Sequence, residues 1–207
     1  MTYEQFPATP LVYSILHERT RKPIRLIIMF LLVFITSTAH SGKRIHVAQG
    51  DILQIKAIPF YPERTRGDRR YWNIVRMGKD TFDDLLLLID DPSDTSISVP
   101  LTGGTYAVGD IAVIALMDIV HGLPVLSMIQ VIQADKGTVS EMDVGFNLYW
   151  NFVRESGTNR SRLRISIKKW LEKNKNNLIW IEKKGHPAGG WWTIQKRDEY
   201  FGGHNTK

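Results

Sequence analysis

The sequence predicts a mainly α fold, stacked antiparallel helical hairpins closed by a small C-terminal β-hairpin. Three observations carry that prediction. Phe82, Leu85, Leu86 and Ile89 recur at intervals of 3, 4 and 7, the spacing of one buried helical stripe. Leu163, Ile167, Trp170 and Leu171 recur at 4, 7 and 8, with cations between them, as on an amphipathic helix. Finally, Leu178 to Ile181 and Trp191 to Ile194 flank a Gly-His-Pro-Ala-Gly-Gly turn, which reads as two paired strands.

Taken in order, residues 43–62 mix two patterns. Ile45 and Val47 alternate as in a short strand, whereas Ile52, Ile55 and Ile58 have helical spacing behind Asp51 as a cap. Pro59 and Pro62 end the segment, because proline lacks the amide hydrogen that helices and ladders use. Asp68 can cap a helix running to Met77, with Tyr71, Trp72, Ile74 and Val75 dense enough for burial. Gly78 then supplies the left-handed residue that stops it. Asp80 is the candidate cap of the Leu-rich helix that follows, and Asp90-Asp91-Pro92 closes it. The two helices would form an antiparallel hairpin.

Residues 92–109 are rich in Ser, Thr, Gly and Pro and long for a connection, so local structure is expected. Ile97 and Val99 alternate and can pair with Tyr106 and Val108 around Gly103-Gly104. Asp110 is read as the cap of a second apolar helix through Val120, broken by Gly122-Leu123-Pro124. A short helix continues from Val125 to Ile132. Beyond a polar turn at 135–137, a helix is expected from Glu141 to Arg154, packing through Phe146, Tyr149, Trp150 and Val153 and ended by Gly157. The last helix follows, with Arg160, Arg164, Lys168 and Lys175 on its polar side and Asn174 to Asn177 at its end.

The segments YWNIVRMGKDTFDDLLLLIDDP (71–92) and VGDIAVIALMDIVHGLP (108–124) resemble units of HEAT-like helical repeats. SIKKWLEKNKNNLIWIEK (166–183) is similar to the tryptophan-bearing terminal helix and strand of some exported bacterial helical proteins of uncharacterised function. The resemblance implies a helical stack with a binding role, and it transfers no catalytic residue.

Ahead of this body lies an apolar run, Leu26 to Ile35. Arg19, Arg21, Lys22 and Arg25 precede it and Ser37-Thr38-Ala39 follow it. That is the three-part layout of an export signal with a cut after Ala39. A bilayer core needs about 20 apolar residues of helix, so the run is short for a span. Residues 1–39 are therefore read as an export signal, with an uncleaved anchor through 24–39 as the alternative. Residues 40–207 are then one domain, exported to the periplasm or beyond.

The chain has no cysteine, which excludes disulfides, a cysteine nucleophile and thiolate metal sites. Residues 40–150 hold 10 basic and 14 acidic residues, whereas 151–207 hold 13 basic and 5 acidic. Positive charge thus collects in the C-terminal part, where it suits anionic partners. Six scattered histidines offer no metal spacing. Asp90, Asp91 and Asp94 lack the glycine and distal glutamate of a calcium loop. Asp83 and Asp84 sit where they complement a helix dipole more simply than they serve acid–base chemistry. No nucleophile elbow or phosphate loop occurs. The sequence therefore nominates no catalytic residue, metal ligand or cofactor.

Its candidate binding surface is Arg160, Arg164, Lys168 and Lys175 with Trp191 and Trp192, cations beside aromatic rings. The expectation is an exported, non-enzymatic domain that binds a protein or envelope component. The alternatives are a cell-envelope hydrolase or acidic-glycan binder using loop 92–109, and a peripheral membrane protein on an anionic surface. Export argues against nucleic acid as the partner. Oligomeric state has no sequence signal.

Overall fold

The architecture follows from one helix with no polar face. In the computed structural model, which describes residues 46–60, 64–100, 103–135 and 145–194, Val108–Ile119 (α4) buries Val108, Gly109, Asp110, Ile111, Ala112, Val113, Ala115, Leu116 and Ile119. A helix apolar on nearly every side must be enclosed by the other elements. Gln49–Leu53 (α1), Arg69–Met77 (α2) and Phe82–Leu88 (α3) all pack against it, and so do Gly104–Ala107 (β2) and Gly190–Thr193 (β4). A second group, Val125–Ala134 (α5), Phe146–Glu155 (α6) and Gly157–Asn174 (α7), packs mutually and meets the first where α3 touches α7. The described residues belong to one compact unit, mainly helical, with two small antiparallel sheets.

Local chemistry explains the boundaries. The Asp68 carboxylate accepts the Arg70 amide at 2.7 Å, capping α2 as expected, and Gly78 at φ 62° ends it. Gly78–Thr81 is then a 3-10 turn leading into α3, and no Asp80 side-chain cap forms there. The main packing partner of both α2 and α3 is α4, rather than each other.

The loop after α3 carries the anticipated small sheet. Asp94–Val99 (β1) pairs antiparallel with β2, Ser98 opposite Thr105 and Val99 opposite Gly104. The register is irregular between Asp94 and Ser98, where Ser96 takes φ 59° and its amide is held by the Asp94 carboxylate at 2.7 Å. Val108, expected in the strand, instead begins α4.

Three further expectations are corrected. Asp110 is not the residue before α4 but its third, and its carboxylate reaches back to the Ala107 amide at 2.8 Å. Gly157 does not stop α6; Ser156 separates the helices, its hydroxyl accepting the Thr158 amide at 3.2 Å, and Gly157 opens α7. Val47 is buried but lies in no strand, its amide held by the Asp84 carboxylate at 2.8 Å. The expected start of α6 at Glu141, the partner Ile45, and the whole segment 1–39 lie outside the described residues. Among the described residues no helix is long and apolar enough to cross a membrane.

The C-terminal hairpin matches its sequence pattern. Ile179–Glu182 (β3) pairs with β4, Ile179 opposite Thr193 and Ile181 opposite Trp191. A parallel bridge joins Val120 to Trp192, and the Trp192 carbonyl accepts the His121 amide at 2.8 Å. This bridge fastens the hairpin to the end of α4. The Arg76 guanidinium fastens its turn to α2 by donating to the Pro187 carbonyl at 3.0 Å.

Candidate functional site

Those two fastenings bring four distant segments around one cavity of about 310 Å³. Arg64 and Thr65 contribute from the turn before α2, Trp72 from α2, and Met117, Asp118 and His121 from the end of α4. Lys183, Lys184, Gly185, His186 and Trp191 come from the hairpin. One wall is a row of rings. Tyr71 and Trp72 meet edge to face with centroids 5.1 Å apart, Trp72 and His186 at 5.5 Å, His186 and Trp191 at 5.4 Å, and Trp191 and His121 at 5.4 Å. Edge-to-face contacts align a positive ring edge with a negative ring face, which fixes the His186 imidazole with the indoles, whereas His121 lies tilted against Trp191.

The rim is cationic: Arg64, Lys183 and Lys184 are all exposed. The Lys183 ammonium lies 5.0 Å from the centre of the Trp191 ring. The one carboxylate lining the cavity, Asp118, accepts the Tyr71 hydroxyl at 2.6 Å. Burial lifts its pKa above the ordinary value, while that hydrogen bond and Arg64 oppose the rise. Tyr71 is fully enclosed, and burial raises its pKa well above that of a free phenol, reinforced by Asp118. Both histidines go the other way. Burial lowers the pKa of His121, helped by Arg64 and Lys183, and that of His186, helped by Lys183 and Arg64. Arg64 and Lys183 therefore act on two imidazoles held toward the neutral form, and Lys184 lines the same cavity. Such a cavity suits a negatively charged group.

Of the residues the sequence nominated, only Trp191 lines this cavity. Trp192 lies to one side, 5.5 Å from Trp180, with the Lys79 ammonium 3.8 Å from its ring centre. Lys79 also donates to the Lys175 and Leu178 carbonyls, each at 3.1 Å, and its burial lowers its pKa. Arg160 is corrected from the polar surface to the interior, 8% exposed, with its Nη2 2.8 Å from Asp110 Oδ1. The same carboxylate oxygen accepts the Tyr149 hydroxyl at 2.7 Å. Arg164 Nε sits 2.7 Å from Asp90 Oδ2, an ion pair whose N–H does not point along the contact. Lys168 and Lys175 remain exposed, Lys168 3.9 Å from Glu172. The four cations thus do not make one open stripe.

The acidic loop is also occupied structurally. Asp90 pairs with Arg164, Asp91 accepts the Ser93 amide at 2.9 Å, and Asp94 accepts that of Ser96. A second depression of about 270 Å³ is lined by His46, Asp51, Arg70 and Asn73, among others. Its charges balance, so it carries less bias toward any ligand.

Sequence reasoning missed the cavity because its contributors fall in three short groups, 64–72, 117–121 and 183–191, that lie far apart along the chain. The traces it left were His121 at the break after α4 and the Lys183-Lys184 pair beside His186. No protein-family model matches the chain, and neither a curated protein nor a solved structure is significantly similar to it. Function must therefore be argued from the chemistry of the site.

Proposed function

We propose that this protein is an exported, non-enzymatic binding domain that engages an anionic protein or envelope component through the cavity between α2, the end of α4 and the β3–β4 hairpin. The observation that carries this reading is the rim of Arg64, Lys183 and Lys184 over a wall of packed rings. A non-enzymatic role accords with the acidic loop, whose carboxylates all hold local structure. Export rests on the signal-like layout of 19–39. The HEAT-like kinship of 71–92 and 108–124 is likewise proposed from the sequence resemblance, and the binding reading does not use a repeat surface.

A second reading, a peripheral protein on an anionic membrane surface, is favoured by one observation: Lys168 and Lys175 remain exposed on α7 and beyond its end. The two readings part under charge reversal. Binding of the full chain to dextran sulfate and to vesicles containing anionic lipid is compared for the wild type, Lys183→Glu/Lys184→Glu, and Lys168→Glu/Lys175→Glu. The proposal expects dextran sulfate binding to fall at least about tenfold, roughly 1.4 kcal/mol, in the first pair only. Vesicle binding lost only in the second pair supports the membrane reading, and wild-type protein that binds neither probe refutes both.

A further inference from the structure

The cavity offers more than positive charge, because its lining divides into two kinds of surface. Arg64, Lys183 and Lys184 are charged and exposed, whereas Met117, Trp72 and Trp191 are apolar. Trp72 and Trp191 are 4% and 7% exposed, so packing holds both indoles in place before a ligand arrives. Met117, near the end of α4, is the flexible member of the set and 38% exposed. An unbranched thioether adapts to the shape it meets and makes favourable contacts with aromatic rings.

The two surfaces adjoin. The Lys183 ammonium lies 5.0 Å from the centre of the Trp191 ring, so a group resting on the apolar wall is within reach of a cation. A bare sulfate or phosphate satisfies the cations but leaves the Met117 thioether against water. A purely apolar group does the reverse. At about 310 Å³ the cavity is at the small end of ligand pockets, which span roughly 300–1,000 Å³. Both features must therefore belong to one compact group.

The geometry points to a binding site for an aromatic acid, a flat apolar ring carrying a carboxylate a few bonds away. Its ring is received by Met117, Trp72 and Trp191, and its carboxylate by Arg64, Lys183 and Lys184. This rests on the reading of the cavity as the anion-binding site, and narrows it. Ring and thioether contacts hold the flat body, while the cations draw in the acid. Asp118 takes no part in holding the carboxylate, since it has the same charge and already accepts the Tyr71 hydroxyl. The same chemistry belongs to a polypeptide ending in phenylalanine, tyrosine or tryptophan and to a free aromatic acid. Capture of a terminal carboxylate is a recurrent mode of peptide recognition.

The full chain is titrated at neutral pH and constant ionic strength with four probes: N-acetylphenylalanine, its amide, acetate and dextran sulfate. The indole N–H signals of Trp72 and Trp191 report on the cavity. N-acetylphenylalanine should bind at least about tenfold more tightly than its amide, which lacks the charge, and than acetate, which lacks the ring. Met117→Gln should cut the preference over acetate by about threefold, and Lys183→Glu/Lys184→Glu should abolish the preference over the amide. If a variant fails to fold, the wild-type series decides. N-acetylphenylalanine binding no more tightly than acetate, while dextran sulfate still shifts both signals, overturns the aromatic acid and leaves the anion site standing. An amide that binds as tightly as the acid also overturns it, and dextran sulfate then reports separately on the anion reading. No shift with any probe overturns both. A short peptide ending in phenylalanine separates the sources: tighter binding than N-acetylphenylalanine assigns the group to a chain terminus, and equal or weaker binding assigns it to the free acid.

Discussion

Replacing Arg160 by Met should cost this protein more than any single change on its basic helix. The Arg160–Asp110 pair is almost wholly enclosed, the side chains being 10% and 2% exposed and 2.8 Å apart. Removing the guanidinium leaves the Asp110 carboxylate buried with hydrogen bonds from Tyr149 and Ala107 but no counter-charge. Breaking a buried pair from one side costs about 3–5 kcal/mol. At about 2–4 °C per kcal/mol for a chain of this size, the midpoint should fall by roughly 6–20 °C. Arg164→Met is the internal control, since both partners of the Arg164–Asp90 pair are one-third exposed. Solvent and salt screen such a pair, so its loss should cost at most about 1 kcal/mol. The double variant Arg160→Met/Asp110→Asn should recover much of the loss, because the amide oxygen can still accept from Tyr149 or Ala107. Thermal and urea unfolding of the four proteins measure all of this. Equal, small losses at Arg160 and Arg164 would refute the placement of Arg160 in the interior.

Three further outcomes follow from the structure. Gly109 sits against the Ile89 carbonyl, and an added methyl group there would collide with that oxygen and come within 2.9 Å of Arg160 Nη1, so Gly109→Ala should prevent stable folding. Gly50 in α1 has open space around it, and Gly50→Ala should stabilise by about 0.5–1 kcal/mol, read as a rise in urea midpoint. For pH, the His121 and His186 pKa values are depressed in the folded state from 6.5, so the unfolded chain binds more protons in that region. Stability is then full above about pH 6.5 and falls as pH drops through the folded values. Urea titrations from about pH 8 to 5 should show this loss, shrinking when both histidines are replaced by Gln; an unchanged pH profile in that variant would contradict the placement of the rings.

What could be read from the sequence was what local pattern determines. The β3–β4 hairpin was legible because short apolar runs flank a turn rich in glycine, and Asp68 and Gly78 marked the limits of α2 by cap chemistry. The role of Arg160 was not legible. Spacing puts Arg160, Arg164 and Lys168 on one face of α7, but periodicity cannot distinguish a face that meets water from one that meets a buried carboxylate. Asp110 misled in the complementary way: a carboxylate near the start of a helix reads as its cap, and the interior arginine that claims the same group lies 50 residues away. The cavity was hidden for a related reason, since Arg64, Trp72, His121 and His186 are brought together by tertiary contacts such as the Val120–Trp192 bridge, which leave no local pattern.

The proposed role of the cavity can be checked by following the indole N–H signals of Trp72, Trp191, Trp170 and Trp180 while dextran sulfate is added to the full chain. Trp72 and Trp191 line the cavity, whereas Trp170 lies on α7 and Trp180 on β3. The binding reading expects saturable shifts at Trp72 and Trp191, suppressed in Lys183→Glu/Lys184→Glu. Shifts confined to Trp170 and Trp180, or no shifts at all, would contradict it.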